Sequence, residues 1–231
     1  MTRRNCSLYT PGCVEYTRAL RIQHTLAELR GKGEIDDTLI LLEHPPTYTL
    51  GKRSDMSHFR VPGEWVDTGR VAVHKVDRGG QITFHGPGQL VGYPVLRLDK
   101  GVREIVHYVR KLENVLVSTL SAFGVQSESR GNTVKNLPPT GVWVRGEKIG
   151  AIGIRIDSNR VTTHGFSLNI STDLDYFDAI IPCGITDRPV TSLERCLGTS
   201  IPMAQVIEKV MTAFAEVFRC ECVEQTEKHA F

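Results

Sequence analysis

Residues 77–94 read DRGGQITFHGPGQLVGYP, and this segment sets an architecture that the remainder of the chain must fit. A Gly-Gly pair and a Gly-Pro-Gly turn enclose a short β-favouring run, after which a second apolar strand follows. In that run Ile82 and Phe84 share one face of a strand, and Gln81, Thr83 and His85 share the other. Glycines let the backbone approach a ligand closely, so the segment suits the wall of a binding site. A plain hairpin with no site is the alternative that this segment alone leaves open.

Periodicity on both sides of this segment predicts a mixture of strands and helices. The predicted strands are residues 38–43, 47–50, 71–76, 81–85, 89–96, 147–156 and 160–170. The predicted helices are residues 13–30, 102–123, 173–180 and 203–218. In the second helix the expected apolar stripe is Ile105, Val109, Leu112, Leu116 and Leu120. Hairpins without regular βαβ alternation indicate an α+β fold with a largely antiparallel or mixed sheet packed with helices.

Length and composition predict one domain over residues 1–231. Hydrophobic residues make up 40% of the chain, and no linker or repeat divides it. A net charge of +2 is too small to indicate a nucleic-acid partner. The N-terminal segment lacks the apolar run of a signal peptide, and no stretch is long enough to cross a membrane, so we expect a soluble, cytoplasmic protein.

The six cysteines do not form a disulfide framework. They stand at positions 6, 13, 183, 196, 220 and 222, too sparse for a stapled scaffold, so reduced thiols are expected. A zinc site at Cys220 and Cys222 is improbable because the sequence places no second Cys or His pair nearby. Neither His-x-x-x-His, Cys-x-x-Cys, a P-loop nor a GxGxxG motif occurs, so metal and phosphate chemistry have weak support.

Three residues are candidates for chemistry, each with an ordinary alternative. Lys148 falls on the apolar face of a predicted strand, where a lysine drawn from water can serve as base or nucleophile, although it could instead reach solvent. His164 also lies on an apolar face, directly before Gly165, and could be a satisfied core histidine. Cys183 stands in a tight Pro-Cys-Gly turn that suits a reactive thiol, while buried structural cysteines are commoner.

Taken together, several segments closely resemble the octanoyltransferases, also called lipoate–protein ligase B or lipoyl(octanoyl) transferase. The matching segments are residues 42–49, 78–90, 141–143, 148–153, 164–169, 182–185 and 190–193. The resemblance implies the single-domain catalytic fold shared with biotin and lipoate protein ligases. It also implies the acyltransferase reaction that begins endogenous protein lipoylation, in which octanoyl passes from acyl carrier protein to a specific lysine of a lipoyl domain.

The resemblance further implies residue roles and partners. Cys183 is expected to be the acyl-thioester nucleophile and Lys148 its dyad partner. The acyl pocket is expected to be lined by Arg78, Gly79, Gly80, Gln81, Ile82, Thr83, Phe84, His85, Ala151, Ile152, Gly153, His164, Gly165 and Phe166. Acceptors would be the lipoyl domains of 2-oxoacid dehydrogenase acyltransferase subunits and the glycine-cleavage H protein. Neither ATP nor a metal would be required, because the acyl group arrives as a thioester.

Three other functions remain open on the sequence. An ATP-dependent lipoate or biotin-type ligase on the same fold would activate a free acid and would not need Cys183. A binding protein for lipoyl domains or carriers would have lost the chemistry, and a Cys-dependent hydrolase would use water as the acceptor. Backbone N–H groups near Gly79, Gly80 or Cys183 are candidates for holding the oxyanion in the acyl-transfer reaction.

Overall fold

The computed structural model describes residues 4–54, 56–59, 71–99, 101–129, 140–180 and 189–225. Its strands are β1 Arg4–Cys13, β2 Asp37–Glu43, β3 Thr47–Leu50, β4 Ala72–Lys75, β5 Ile82–His85, β6 Gln89–Val95, β7 Glu128–Ser129, β8 Gly141–Val144, β9 Glu147–Ile156, β10 Thr162–Asn169 and β11 Cys220–Glu224. Its α-helices are α1 Tyr16–Lys32, α2 Val102–Ala122, α3 Leu193–Leu197 and α4 Met203–Phe218. Short 3₁₀ turns cover Met56–His58 and Leu174–Phe177.

The strands form one large mixed sheet and one small one. The large sheet has the order β11-β1-β2-β6-β10-β9-β8-β7, and the small sheet has the order β4-β3-β5. β1 pairs in parallel with both β2 and β11, while the pairs from β2 through β7 are antiparallel. This arrangement confirms the predicted α+β class with a mixed sheet.

Both faces of the large sheet are covered, which explains the unbroken apolar run in β2. Leu39 and Leu41 pack into the core beneath α2 and α4, whereas Ile40 and Leu42 pack into a second core beneath α1. Alternate residues of a strand point to opposite faces, so one strand supplies two cores. A third core lies under the small sheet and is rich in aromatic residues, including Tyr48.

Most predicted elements are confirmed, and the errors are missed short elements, both strands at the chain ends and one misassigned helix. The strands at residues 47–50 and 147–156 and the helix at 203–218 have the predicted bounds. Helix α1 begins at Tyr16, not at residue 13, because Cys13 ends β1. β1, β7, β8, β11 and α3 were not predicted, and residues 173–180, predicted as a helix, contain only a 3₁₀ turn.

The predicted stripe of helix α2 is confirmed in its C-terminal part, where Leu112, Leu116 and Leu120 are fully buried in the main core. Tyr108 and Val115 are buried beside them, whereas Ile105 is 38% exposed. The first turns of α2 therefore offer apolar side chains to something other than the main core. Among the described residues, no helix is both long and apolar enough to span a membrane.

Candidate active site

A cavity of about 530 Å³ lies between residues 77–94 (the glycine segment), β9, β10 and the start of α2. Its volume is within the range of roughly 300–1,000 Å³ that small-molecule sites occupy. It is bordered by all but one of the described residues that the sequence analysis assigned to the site, namely Arg78, Gly79, Gly80, Gln81, Ile82, Thr83, His85, Lys148, Ala151, Ile152, Gly153, His164, Gly165 and Phe166. Ile105 and Val109 of α2 also line it, which explains why the N-terminal part of the predicted stripe lies outside the main core.

Phe84 is the described residue of that set that does not line the cavity. Its ring stacks on Tyr176 with centroids 4.3 Å apart, and it meets Tyr48 and Phe177 in the third core. Ile82, which was expected to line the pocket together with Phe84, does border the cavity. Phe84 therefore supports the wall from behind.

Arg78 fixes the glycine pair against the small sheet. Its guanidinium donates from Nη2 to the carbonyl oxygen of Thr49 at 2.7 Å and to its Oγ1 at 2.8 Å, and from Nη1 to the carbonyl oxygen of Gly79 at 3.0 Å. A Cβ added at Gly51 would lie 2.5 Å from the carbonyl oxygen of Gly80. This close approach requires a bare backbone, so the glycines here hold the wall together.

The amide of Gly79 already has an acceptor. Its N–H donates to the carbonyl oxygen of Ile154 at 2.9 Å and joins the glycine segment to β9. An oxyanion donor must be free to point at the reacting oxygen. Of the donors considered from the sequence, Gly79 is therefore engaged in a structural hydrogen bond.

His164 is held in place from three sides. Its backbone has φ +58°, and its N–H donates to Oε1 of Gln23 at 2.7 Å. Its Nε2 lies 2.8 Å from Oδ1 of Asp77, whose Oδ2 lies 2.8 Å from Nε of Arg155. Burial lowers the pKa of His164, against the opposing effect of the Asp77 hydrogen bond. A positive φ at a buried non-glycine residue is costly, and such strain clusters at functional sites.

Gly165 and Gly92 make room for the cavity wall. A Cβ at Gly165 would lie 2.1 Å from the carbonyl oxygen of Gly92, so the close approach expected at Gly165 is made to the neighbouring strand. Phe166 pairs directly with Gly92 across β10 and β6. Its ring lies over the position that a side chain at Gly92 would occupy, with Cζ 2.2 Å from a Cβ built there.

Lys148 lies beside the bulge where β8 and β9 shift register, next to Val142 and Trp143. Its Nζ is 5.5 Å from the ring centroid of Trp143, within cation–π range. Its backbone N–H donates to the carbonyl oxygen of Pro189 at 3.0 Å, and its own carbonyl accepts from the N–H of Thr191 at 3.0 Å. Lys148 therefore anchors residues 189–191, which follow the segment that contains Cys183.

Cys183 itself lies outside the described residues, as does its Pro-Cys-Gly turn.

A chain of buried, hydrogen-bonded polar side chains, which was not predicted from the sequence, runs from His85 to the backbone of Thr191. Nδ1 of His85 lies 2.7 Å from Oε1 of Gln89, Nε2 of Gln89 donates to Oδ1 of Asn169 at 2.9 Å, and Nδ2 of Asn169 donates to the carbonyl oxygen of Thr191 at 3.0 Å. Because the Gln89 amide nitrogen is used as a donor, its oxygen must accept, which places the proton of His85 on Nδ1. The available signal was a Gln and an Asn in strands that are otherwise apolar.

A second buried hydrogen-bonded pair, His44 and Tyr93, packs beside this chain, with the rings of His44 and His85 5.7 Å apart at their centroids. Nδ1 of His44 lies 2.6 Å from the carbonyl oxygen of Val14, which can only accept, so Nδ1 carries the proton. Its Nε2 then accepts from the hydroxyl of Tyr93 at 2.7 Å. Burial lowers the pKa of His44 to about 4 and that of His85 to about 3, so both rings are neutral near pH 7.

The cavity thus combines apolar walls, four cationic side chains (Arg53, Arg78, Arg110 and Lys148) and a set of fixed neutral polar groups. Within the described residues, the one set of three or more potential metal ligands lies elsewhere, at Cys6, Cys220 and Cys222. Such an arrangement can hold a medium-length apolar chain with its polar end near Lys148.

Comparison with known proteins identifies the family. Residues 15–215 match the family of the lipoyl protein ligase A/B catalytic domain. The octanoyltransferase of Rubrobacter xylanophilus is 46% identical over 208 residues, which cover 90% of each chain. The octanoyltransferase of Chloroflexus aggregans is 44% identical over 218 residues, covering 93% of this chain and 96% of its own.

Solved structures share the fold at much lower identity. The T. acidophilum protein Ta0514 with bound lipoic acid superposes with a TM-score of 0.74 at 14% identity, over 98% of this chain and 91% of its own. A lipoate-protein ligase A bound with ATP gives a TM-score of 0.69 at 15% identity, over 98% and 91% of the two chains. These structures confirm the lipoate-ligase type of catalytic fold. The chain therefore belongs to the lipoyl protein ligase A/B catalytic-domain family and, within it, to the octanoyltransferases.

Proposed function

We propose that this protein transfers an octanoyl group from octanoyl-acyl carrier protein to a specific lysine of a lipoyl domain, through a thioester on Cys183. One observation carries the proposal. The strand β9 forms a wall of the apolar cavity, and at its start Lys148 is hydrogen-bonded to Pro189 and Thr191, just beyond the segment that contains Cys183. The same strand thus supports both the acyl chain and the reacting groups. The octanoyltransferase relatives, at 46% and 44% identity, agree with this activity.

The cavity walls supply the binding energy for the acyl chain. Ile82, Ile152 and Phe166 present apolar surface, together with Ile105 and Val109 of α2. At roughly 0.8 kcal/mol per buried CH₂, full burial of an octanoyl chain contributes about 5 kcal/mol. That energy holds the thioester carbonyl at the end of the cavity nearest Lys148.

The chemistry divides into two acyl transfers. The Cys183 thiolate attacks the thioester carbonyl of the donor, the tetrahedral intermediate collapses, and the carrier's thiol leaves with a proton. The lysine amine of the lipoyl domain then attacks the Cys183 thioester, an amide forms, and Cys183 leaves as thiolate. Thioester exchange is nearly isoenergetic and aminolysis is downhill, so neither ATP nor a metal is needed.

Lys148 has a different task in each step. As an ammonium it stabilises the Cys183 thiolate before the first transfer, and it gives its proton to the departing carrier thiol. As an amine it then takes a proton from the attacking lysine in the second transfer. The enzyme therefore passes one proton through Lys148 in each cycle.

The ATP-dependent ligase remains the second candidate, because a structure on this fold contains ATP. The two functions differ in their acyl donor: a ligase uses free octanoate or lipoate with ATP, whereas the transferase uses the carrier thioester. The 2-oxoacid dehydrogenase and glycine-cleavage lipoyl domains as acceptors, and the cytoplasm as the location, stay predictions.

The test is to incubate the purified protein with octanoyl-acyl carrier protein and a lipoyl domain, without ATP, and to measure the mass of the lipoyl domain. We expect an octanoyl amide, lost completely in Cys183→Ala and almost completely in Cys183→Ser. Cys13→Ser is the matched control, because Cys13 is exposed on β1 and should not change the rate. Amide formation that requires ATP and free octanoate contradicts the proposal, and so does release of free octanoate in place of the amide.

A further inference from the structure

Three cysteines from the two ends of the chain meet at one edge of the large sheet. β1 and β11 run parallel, with Cys6 opposite Cys222 and Arg4 opposite Cys220. Alternate residues of β11 point to the same face, so Cys220 and Cys222 share a face with Cys6. The three Sγ atoms all lie within 4.8 Å of one another. The sequence shows no second Cys or His pair near Cys220 and Cys222, and the parallel pairing of β1 with β11 supplies a single further thiol, Cys6.

This three-thiol cluster is largely enclosed but open to small solutes. Cys6 is 1% exposed and Cys220 is 5% exposed, while Cys222 is only partly buried. A separate small cavity of about 80 Å³ touches Cys6 and Cys220, between Tyr108 of α2 and Phe218 of α4. A small ion therefore has a route to the thiols that does not pass through the larger cavity.

We propose that Cys6, Cys220 and Cys222 bind one soft metal ion, of the Zn²⁺ and Cd²⁺ class, as three thiolate ligands. Thiolate sulfur selects such ions over Mg²⁺ or Ca²⁺. In tetrahedral zinc sites a Zn–S bond of about 2.3 Å places neighbouring sulfurs roughly 3.8 Å apart. The observed sulfurs, at no more than 4.8 Å, need to close by about 1 Å or less. Binding releases the thiol protons to solvent, and water or a small anion completes the coordination.

A metal accounts for the cluster better than a disulfide does. A disulfide would use two of the sulfurs and leave the third, buried thiol without a role. A disulfide between Cys220 and Cys222 is also disfavoured by geometry. Residues i and i+2 of a strand have Cα atoms about 6.6 Å apart, near the upper limit of about 6.8 Å for a disulfide. A metal ion uses all three sulfurs with small movements.

The consequence of metal binding is a clamp between the two ends of the fold. Among the described residues, β11 is an edge strand of the large sheet and pairs with β1. A metal that binds only the folded arrangement stabilises it in proportion to its affinity. We therefore expect Zn²⁺ to raise the melting temperature and to protect β11, without being required for acyl transfer in the larger cavity.

The experiment uses the full-length, reduced, metal-free protein in a Cys183→Ser background, so that the proposed catalytic thiol cannot compete. Titration with Cd²⁺ should give a sulfur-to-metal charge-transfer absorption that saturates at one ion per chain, and Cd²⁺ should displace Zn²⁺ from the zinc-loaded protein. In Cys222→Ser and Cys6→Ser the affinity should fall about 100-fold or more, since even loss of an outer-shell partner typically costs 10–100-fold. Cys13→Ser and Cys196→Ser, which alter cysteines outside the cluster, should bind like the parent.

Two outcomes overturn the proposal. One is equal metal uptake by Cys222→Ser and its parent. The other is a protein that takes up no metal after reduction but loses the mass of two hydrogens in air through a Cys6–Cys222 disulfide. Cys222 is only partly buried, so Cys222→Ser keeps the test decisive if the core substitution Cys6→Ser does not fold. Thermal melting with and without Zn²⁺ gives an independent readout: the shift seen in the parent should vanish in Cys222→Ser.

Discussion

Replacing Gly92 with alanine tests whether the space beside Phe166 holds the acyl chain. A methyl group at Gly92 would lie 2.2, 2.5 and 2.6 Å from three atoms of the Phe166 ring. Ordinary contact begins near 3.4 Å, so the ring must move by roughly 1.2 Å. Phe166 both lines the cavity and packs in the main core, and we expect the ring to move into the cavity because the core side is already filled.

The size of the effect follows from the chain atoms that the displaced ring excludes. Loss of contact with about two methylenes removes roughly 1.6 kcal/mol of binding, or about fifteenfold in kcat/KM for an octanoyl donor. A hexanoyl donor, which is two carbons shorter, should be much less affected. Overpacking should also cost about 1–3 kcal/mol of folding stability, which leaves the fold intact.

The assay compares kcat/KM for hexanoyl and octanoyl carrier protein in Gly92→Ala, Phe166→Leu and the double variant. Phe166→Leu removes the outer ring atoms, so it should restore octanoyl transfer to Gly92→Ala and reveal a positive coupling between the two sites. Gly31→Ala is the control, because the nearest atoms to its methyl in α1 belong to the side chain of Asn159, far from the cavity lining. Equal loss for both chain lengths, or the absence of rescue, would refute the assignment of the cavity.

Three further predictions concern the reacting groups and the buried polar residues. Lys148→Ala should slow acylation of Cys183, with partial recovery at higher pH where the thiol ionises unaided. Rapid-quench measurement of the acylation rate across pH checks this. Lys148→Arg keeps the charge but cannot act as a base, so Cys183 should become acylated in that variant yet fail to pass the octanoyl group to the lipoyl domain. Asn169→Ala should lower kcat about tenfold while the KM for the donor stays within about twofold. The variant loses the hydrogen bond from Asn169 to the carbonyl oxygen of Thr191, which stabilises the position of residues 189–191 by about 1–3 kcal/mol. Equal changes in kcat and KM would contradict this role. Acidification should destabilise the fold between about pH 6.5 and pH 4, because His44 and His85 stay neutral when folded and take up protons on unfolding. The free energy of unfolding should fall by up to about 1.4 kcal/mol per histidine per pH unit. Chemical denaturation at a series of pH values measures this free energy, and a constant value over that range would be inconsistent with neutral buried rings.

The sequence was sufficient wherever local pattern and environment agree. Helix α4 has a strong apolar stripe and packs on one core, so its bounds follow from periodicity alone. Residues 78–85 were predicted to form the wall of a binding site because glycines let the backbone approach another group closely. The structure has such a close approach between Gly51 and Gly80.

The remaining features depend on pairing between distant parts of the chain. β1 carries Pro11 and Gly12 and its partner β11 is short, so neither has a clear strand pattern before they pair. The approach of Cys6 to Cys222 follows from that pairing and was out of reach for the same reason. The periodicity of α2 revealed its apolar residues, yet it could not show that Ile105 faces the large cavity instead of the core.

The most direct test of the covalent mechanism is the intact mass of the protein after mixing with octanoyl-acyl carrier protein, without ATP and without an acceptor domain. The account predicts an adduct of one octanoyl group that maps to Cys183 and disappears when a lipoyl domain is added. Failure to form the adduct, together with lipoyl-domain modification that needs ATP and free octanoate, would contradict it.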